Sequence, residues 1–438
     1  MTVTPKLKTE EYLRIMFEYG NILKIGLWLL FSFNVLYLHA TDWPQWRGTN
    51  RDGKSTETGL LKSWPYKGPE LLWKVHGLGM GYSSPSIARE TIYITGISND
   101  KMEFVTALDL DGKIKWRRIY GPAWEKTYTD ARTTPTVEND QLYVISGQGQ
   151  IVCLKTMPGN EEWAVDGLTE FSGQPGYWGY AESPLIVGER VIFVPGGDKT
   201  TVVALNKFSG KTVWTSKSIG DKSAYVSPIL IQYHGKQQIV CVTGKYILGV
   251  NPDNGHIDWT YDYEQHYNHE CGSDKNTNSP IFQDGCLYVT SGYDHGGVKL
   301  KLSDTLDSVS LLWMDRTLDV HHGGVVLVDG YLYGSNWITM SRGNWAAISW
   351  ETGETAFEKK WRSKGAIIYA DGMLYCQEDR CGKIALVKAA PDDFSVISAF
   401  SVPSIVGLPF AHPVICDGRL YLRRGATLFA YNIRQVCN

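Results

Sequence analysis

The sequence has little excess charge of either sign, and it lacks the motifs of several common chemistries. Its 43 basic and 46 acidic residues give a net charge of −3, so nothing indicates a basic surface for nucleic acid. It contains no G-x-S-x-G motif, so a serine nucleophile has no support. It also has no C-x-x-C-H, so no covalently attached c-type haem is expected.

Long hydrophobic runs are scarce. One apolar run, residues 25–38, follows Lys24 and precedes Ala40, and it is too short for a comfortable membrane span. Its flanks predict a signal peptide over residues 1–40. An uncleaved anchor is the alternative, because Leu38 stands where a cleavage site prefers a small residue. We therefore expect an exported chain, periplasmic or extracellular, with membrane contact only through residues 25–38 if they are not cleaved.

Tryptophan, tyrosine and glycine are abundant, with 16, 25 and 45 copies. Residues 183–214 show the pattern into which they fall: four short apolar strands, separated by turns such as Ser209-Gly210. The pattern recurs, and most repeats end at a tryptophan about 43 to 54 residues after the previous one. That period is typical of β-propellers with four strands per blade. The tryptophans concerned are Trp73, Trp116, Trp163, Trp214, Trp259, Trp313 and Trp361.

The ends of the repeat array predict a closed ring. The seventh repeat has lost its tryptophan near residues 395–399, and the eighth has three strands before the chain stops. Residues 71–75 form an isolated strand before the first repeat, with Trp73 in the expected place. We predict that this strand pairs with residues 427–431 and completes the last blade, whereas a linear solenoid would need no such strand. The predicted fold is all-β, an eight-bladed propeller of four antiparallel strands per blade over residues 71–438, preceded by an irregular lead-in over residues 41–70.

The repeat resembles the pyrroloquinoline-quinone (PQQ)-type propeller repeat. Ala107-Leu108-Asp109, followed by Gly112-Lys113 and Trp116, shows its consensus, and the resemblance covers most of residues 71–433. The tryptophans are expected to lie between blades and stack on a glycine turn. The resemblance implies one of two kinds of protein: quinoprotein dehydrogenases that hold PQQ and calcium, or non-catalytic BamB-like propellers that bind other proteins. The chain has no pair of adjacent cysteines, in contrast to many of the enzymes, so whether it is an enzyme stays open.

The candidate binding site is a ring of polar side chains. In a propeller the first strand of each blade lies on the axis, so residues just before these strands should meet at one mouth of the channel. Long polar loops lead to the same mouth, which makes it the default ligand site, although such residues can also only satisfy one another. We expect Arg132 and Glu182 to be able to pair. The candidate ligand-binding residues are Tyr82, Arg132, Glu182, Tyr225, Asn278, His322 and His412.

Metal ligands are less evident. Glu182 and Asn278 offer oxygen atoms to calcium, but a third carboxylate is not apparent, and Asp130 and Asp274 are candidates only by proximity in sequence. A histidine-rich group lacks a recognised ligand frame, so no metal site is predicted. PQQ and calcium enter only through the resemblance, and no catalytic residue is assigned. The members of the histidine-rich group are His266, His269, Glu270, His321 and His322.

The eight cysteines are compatible with an oxidising compartment. Most stand singly in apolar strands and are expected to be buried, whereas Cys376 and Cys381 flank a four-residue turn and are predicted to be close enough to form a bridge.

Taken together, these features favour an exported, monomeric binding or scaffold protein of the cell envelope, non-catalytic, with envelope proteins or a small-molecule ligand as its partner. A PQQ- and calcium-dependent dehydrogenase that oxidises an alcohol or a sugar is the alternative function.

Overall fold

Eight antiparallel four-stranded sheets form the ring that the sequence predicts. The computed structural model describes residues 42–266 and 275–435. Each blade begins with a short buried strand at the axis and ends with an exposed outer strand. Blades 1 and 2 consist of Ser86–Ala88, Thr91–Ile97, Met102–Asp109 and Ile114–Pro122, and of Thr136–Glu138, Gln141–Ile145, Gln150–Lys155 and Glu161–Asp166. Blades 3 and 4 consist of Leu185–Val187, Arg190–Phe193, Val203–Asn206 and Thr212–Thr215, and of Ile229–Tyr233, Lys236–Val242, Tyr246–Val250 and Ile257–Asp262.

The second half of the ring repeats this order. Blades 5 and 6 consist of Ile281–Gln283, Cys286–Thr290, Gly297–Leu302 and Val309–Asp315, and of Val326–Val328, Tyr331–Ser335, Trp345–Ser349 and Thr355–Lys359. Blade 7 consists of Gly365–Ala370, Met373–Glu378, Lys383–Lys388 and Val396–Ser401. Small additions are the strand Lys54–Ser55 on blade 7, the ribbon of Gly196–Gly197 with Asp221–Lys222, the helix Gly167–Phe171 and the 3₁₀ turn Glu264–His266.

Blade 8 closes the ring as predicted. Its inner three strands are Val414–Cys416, Arg419–Arg424 and Thr427–Asn432, and its outer strand is Glu70–Val75 from the other end of the chain. Leu71 pairs with Tyr431 and Val75 with Leu428. The last blade is therefore assembled from both ends of the propeller, which leaves no blade incomplete.

The repeat tryptophans lie between blades. Trp116 pairs with Ala107 in its own blade, and its Nε1 donates to the Thr156 carbonyl of the next blade over 2.8 Å. A Cβ added at Gly159 would lie 2.7 Å from the Trp116 ring, so the turn beneath that ring requires a glycine. Similar indole bonds to the next blade run from Trp73 to Leu110, Trp163 to Lys207, Trp214 to Pro252 and Trp313 to Glu351.

Three blades depart from this pattern. In blade 4 the Nε1 of Trp259 donates to Gln238 Oε1 of its own blade over 2.8 Å. In blade 6 the residue that pairs at the tryptophan position is Phe357, opposite Ala347, and Trp361 follows the strand, so its assignment from sequence spacing was wrong. In blade 7 the position is held by Ala399. Trp64 of the lead-in packs beside that blade instead, with its ring 5.1 Å from Phe400.

The lead-in crosses the propeller axis. Arg51 donates to the carbonyls of Ser183 over 3.2 Å and Pro228 over 2.9 Å, and Arg47 donates to the Val325 carbonyl over 2.5 Å. Both arginines are almost completely buried. The acceptors precede the inner strands of blades 3, 4 and 6, so residues 42–53, which we call the floor loop, close one end of the central channel.

The expected bridge between Cys376 and Cys381 is absent. Both thiols are free. Cys376 lies inside Met373–Glu378 and pairs with Ala385, whereas Cys381 lies in the hairpin turn itself. The strand continues two residues beyond Cys376, which moves the turn along the chain and takes the second cysteine out of the opposing strand.

Some predictions fall outside the described residues. The predicted targeting segment over residues 1–40 lies entirely outside them. The predicted boundary between that segment and the lead-in therefore stays a prediction. Within the described part of the chain, no helix is long and apolar enough to cross a membrane.

Removing the outer strand of blade 8 should abolish cooperative unfolding. A chain that begins at Leu78 lacks both the floor loop and Glu70–Val75, and it leaves the edge of Thr427–Asn432 open. The urea unfolding transition, measured by tryptophan fluorescence, should therefore be broader than that of a control chain that begins at Asp42. An equally steep transition in both chains would contradict closure by this strand.

Candidate functional site

A cavity of about 480 Å³ lies on the propeller axis. All eight blades contribute to it through residues that precede their inner strands, and Trp46 of the floor loop contributes from the closed end. The remaining lining comes from loops between strands. The lining residues that precede the inner strands of blades 1 to 8, in order, are Tyr82, Arg132, Ala181, Tyr225 with Ser227, Thr277, His321 with His322, Lys364 and His412. The further lining residues are Trp46, Tyr128, Trp178, Tyr293, Met340, Ser341, Asp379, Arg380, Leu408 and Phe410.

Five of the seven candidate residues line this cavity, and two do not. The five are Tyr82, Arg132, Tyr225, His322 and His412. Glu182 and Asn278 stand three residues before their inner strands, whereas the lining residues of the same blades, Ala181 and Thr277, stand four before. Because side chains of an extended segment alternate between opposite sides, a shift of one residue turns them from the cavity into the blade.

Glu182 is buried below the cavity lining. Its Oε1 accepts a hydrogen bond from the Val194 amide over 2.8 Å, and its Oε2 has no hydrogen-bond partner among the described residues. Burial raises the pKa of the Glu182 carboxyl to about 8, while the positive charge of Arg51 acts in the opposite direction. This carboxyl is therefore a buried group with one unpaired oxygen, and it is not part of the lining.

Asn278 joins two blades. Its amide nitrogen donates to the Val320 carbonyl over 2.6 Å, and its amide oxygen accepts from the Gly324 amide over 3.1 Å. With both ends of the amide engaged by the backbone of blade 6, Asn278 has a structural role.

Arg132 does not pair with Glu182. Its Nη2 donates to the carbonyl of Thr127 over 3.0 Å and to that of Tyr128, which holds the guanidinium against its own loop. Its Nη1 is shielded from solvent and has no hydrogen-bond partner among the described residues. The negative charge that most affects its pKa is that of Glu103, while desolvation lowers that pKa.

The side of the cavity beneath blades 6 and 7 holds an ion pair and two histidines. Lys364 and Asp379 lie 2.7 Å apart and are each 3% exposed, and His322 Nε2 lies 3.8 Å from the same carboxylate. Burial lowers the pKa of His322 to about 4 and lowers that of His321 as well. Both imidazoles are neutral near pH 7, so the lysine is the partner that neutralises Asp379.

Sequence reasoning missed several lining residues. Tyr128 and Trp178 lie in the long loops that it associated with the mouth, so the loops were recognised but not the side chains within them. Trp46 and Phe410 come from segments outside the strand repeat, where no periodicity predicts where a side chain points. Lys364 and Asp379 come from blade 7, whose degraded repeat hid the start of its inner strand.

Within residues 42–266 and 275–435, the donors for a metal ion are not assembled. Among the described residues, no group of three or more His, Cys, Asp or Glu side chains could hold a metal. His266 bonds to Tyr261 Oη over 2.7 Å, and the candidates Asp274, His269 and Glu270 lie outside the described residues. Of the described residues that line the cavity, Asp379 is the one carboxylate, and Lys364 already holds it.

Comparison with known proteins identifies the relatives of this fold. A sequence profile described as outer membrane protein assembly factor BamB matches residues 101–359. A search of curated proteins found no significant match.

Solved structures align over most of the chain. BamB from Moraxella catarrhalis is 14% identical, with a TM-score of 0.60, over 83% of this chain and 99% of that one. A europium-containing methanol dehydrogenase is 13% identical, with a TM-score of 0.67, over 89% and 90%. The quinohemoprotein alcohol dehydrogenase ADHIIG from Pseudomonas putida HK5 is 12% identical, with a TM-score of 0.53, over 91% and 81%. At these identities the structural alignments establish the fold alone.

Replacing Glu182 with Gln should stabilise the protein increasingly as pH rises. The pKa of Glu182 is higher in the folded protein than in the unfolded chain. Between about pH 5 and the folded-state pKa, the unfolded chain has lost the Glu182 proton while the folded protein still holds it. The free energy of unfolding of the wild type therefore falls as pH rises through this range. At pH 8.5 the free energy of unfolding of Glu182→Gln should exceed that of the wild type by on the order of 2 kcal/mol, with little difference at pH 5. The exposed Glu189→Gln is the control. A difference in free energy of unfolding between Glu182→Gln and the wild type that does not change with pH would contradict a raised pKa at Glu182.

Proposed function

Because the chain belongs to the family of propellers described as outer membrane protein assembly factor BamB, we propose that it is an exported binding protein of the cell envelope. Its working surface is the face on which the axial cavity opens. The protein acts by contact, with no chemical step, and its partner is another envelope protein. The fold is a rigid support for the loops that form this face.

The observation that carries the proposal is the apolar rim of the cavity. Tyr128, Met340 and Leu408 each line the opening and are 49%, 57% and 41% exposed. They come from loops of blade 2, blade 6 and the segment before blade 8, so the rim surrounds the opening from separate parts of the ring. Exposed apolar groups around a concavity are typical of surfaces that bind a partner.

Serine substitutions at Tyr128, Met340 and Leu408 should abolish capture of the partner. The wild-type chain should be cross-linked in the native envelope and purified together with a bound partner protein. The triple variant should recover at least tenfold less of that partner. The matched control carries serine at Ile119, Val213 and Leu312, which are similarly exposed on outer strands. Exposed substitutions of this kind cost little stability, and thermal unfolding of both variants checks this. Equal recovery with the rim and control variants would contradict the proposed working surface.

The dehydrogenase alternative has weaker support from the side chains. Calcium takes six to eight oxygen ligands, often carboxylates, and Glu182 and Asn278, the residues considered for that role, turn away from the cavity. Asp379 is held by Lys364 over 2.7 Å. The described lining therefore does not fit PQQ together with calcium, and no reaction step is derived through them.

Adding PQQ and calcium to the purified protein should give no dye reduction with an alcohol or a sugar. The physical reason is that Asp379, the one carboxylate among the described lining residues, is already held by Lys364 over 2.7 Å. The measurement is the absorbance of the dye with and without each addition, with a quinoprotein dehydrogenase as the positive control. Turnover that requires both additions would favour the alternative function.

A further inference from the structure

We propose that Arg342, Arg362 and Arg380, which we call the arginine patch, bind an extended acidic segment of the partner protein. This inference rests on the proposed function, because it takes the face with the cavity opening as the working surface. It adds the chemistry of the partner, which the fold alone does not assign.

Hydrogen bonds between blades 6 and 7 hold the segments of the arginine patch together. Lys364 Nζ donates to the Met340 carbonyl over 2.7 Å and pairs with Asp379 over 2.7 Å. Ser363 Oγ lies 3.0 Å from the Ser341 carbonyl oxygen and 3.2 Å from the Asp379 carboxylate. Each arginine of the patch directly follows or precedes one of these bonded residues in the chain. The fold therefore fixes all three at one stretch of the rim.

The arginine patch is exposed and has no partner in the described chain. All three residues are exposed, and within residues 42–266 and 275–435 none of their guanidinium groups forms an ion pair or a hydrogen bond. By contrast, Arg190 pairs with Asp253 over 3.3 Å and Arg434 with Asp417 over 2.6 Å. The donors of the patch are therefore available to a group from outside.

The carboxylates nearest to the patch in sequence are engaged elsewhere. Glu378 is 2% exposed, and its two oxygens accept from backbone amides of its own turn over 2.9 and 2.7 Å. Glu358 accepts from the side-chain amides of Asn336 and Asn344, each over 2.8 Å, and Asp379 is held by the buried lysine beside it. Because none of the three bonds to a guanidinium of the patch, an incoming anion would break no internal ion pair.

The turn at Arg362 does not itself require an arginine. The φ of Arg362 is 57°, in the left-handed region that glycine adopts at lower cost than a residue with a Cβ. Residues held in such conformations cluster at functional sites. The guanidinium, and not the turn, is therefore the feature that a function would explain.

An extended acidic segment is the occupant that this surface favours. The positive charge comes from three separate segments and is spread along the rim, which suits a chain with several carboxylates better than one compact anion. Ile338 and Met340, in the same loop as Arg342, are 45% and 57% exposed, and Met340 and Arg380 line the concave opening. A flat lipid surface cannot follow that concavity, whereas an extended chain with an apolar side chain can.

Three peptides with the same leucines and different polar residues test the proposal. Fluorescence anisotropy with the full exported chain would use a peptide of glutamate and leucine, and matched peptides in which glutamine or lysine replaces glutamate. The glutamate peptide should bind about tenfold more tightly than the glutamine peptide, the lysine peptide should bind most weakly, and the preference should shrink as salt rises. Equal binding of the three, tighter binding of the lysine peptide, or no binding of the glutamate peptide would each overturn the proposal.

Replacing all three arginines of the patch with glutamine tests the patch itself. This variant should lose the preference for the glutamate peptide. The control carries glutamine at Arg89, Arg117 and Arg118, which are exposed on blade 1, so it loses the same charge. Preference retained in the folded patch variant would overturn the proposal. Should that variant not fold, Arg362→Gly, which relieves the left-handed backbone, should bind the glutamate peptide about threefold more weakly than the wild type, and unchanged binding would overturn the proposal.

The experiments also separate the acidic segment from a lipid surface and from the proposed function. Sedimentation with phosphatidylglycerol vesicles that the patch variant abolishes, without binding of the glutamate peptide, would replace the peptide with a lipid surface. Partner capture that is unaffected by the three glutamines would reject the acidic segment alone. Binding of the glutamate peptide without any capture in the envelope would reject the envelope partner.

Discussion

The hydrogen bonds from Arg47 and Arg51 to backbone carbonyls at the propeller axis hold the floor loop across one end of the central channel. Arg51 reaches carbonyls before blades 3 and 4, and Arg47 reaches blade 6 and the His412 ring of blade 8, at 3.2 Å. Both backbones adopt a left-handed conformation, with φ of 56° and 59°, which costs on the order of 1 kcal/mol each. Several charge-assisted bonds offset that cost and part of the desolvation of two buried cations.

This floor turns a channel into a cavity with one opening. Without residues 42–53 the axis would be lined by eight inner strands and open at both ends. With them, Trp46 provides an aromatic base, and the cavity opens on the opposite face. The blades therefore supply a frame, and the segments outside the strand repeat supply the floor, the rim and most of the ring surfaces.

The fold could be predicted from the sequence because it depends on a pattern repeated in almost every blade. The number of recurring strand patterns gave the number of blades, and Trp73 in an isolated strand indicated which strand closes the ring. The pattern failed where one side chain replaces another, as at Phe357, because packing between blades needs a large ring and not a tryptophan as such. It also failed at Cys381, because the length of a hairpin strand depends on pairing that composition does not reveal.

The site was less predictable, for a definite physical reason. Counting back from each inner strand identified Arg132 and Tyr225 correctly. In two blades the count was wrong by one residue, so Glu182 was chosen where Ala181 lines the cavity, and Asn278 where Thr277 does. The more polar neighbour was chosen in both cases, whereas alternation along an extended chain places it in the blade. Trp46 and Phe410 could not be found in this way, since neither belongs to a repeat.

Hydrogen–deuterium exchange of the floor loop tests the central claim most directly. The amide of Trp43 donates to the Ile87 carbonyl and that of Gly53 to the Arg47 carbonyl, over 2.8 and 2.9 Å, and the side chains of the loop are tied to separate blades. Peptides that cover residues 42–53 should exchange as slowly as those from the inner strands. Exchange as fast as that of the exposed segment around Val406 would show that the channel has no fixed floor, and would contradict the account of the cavity.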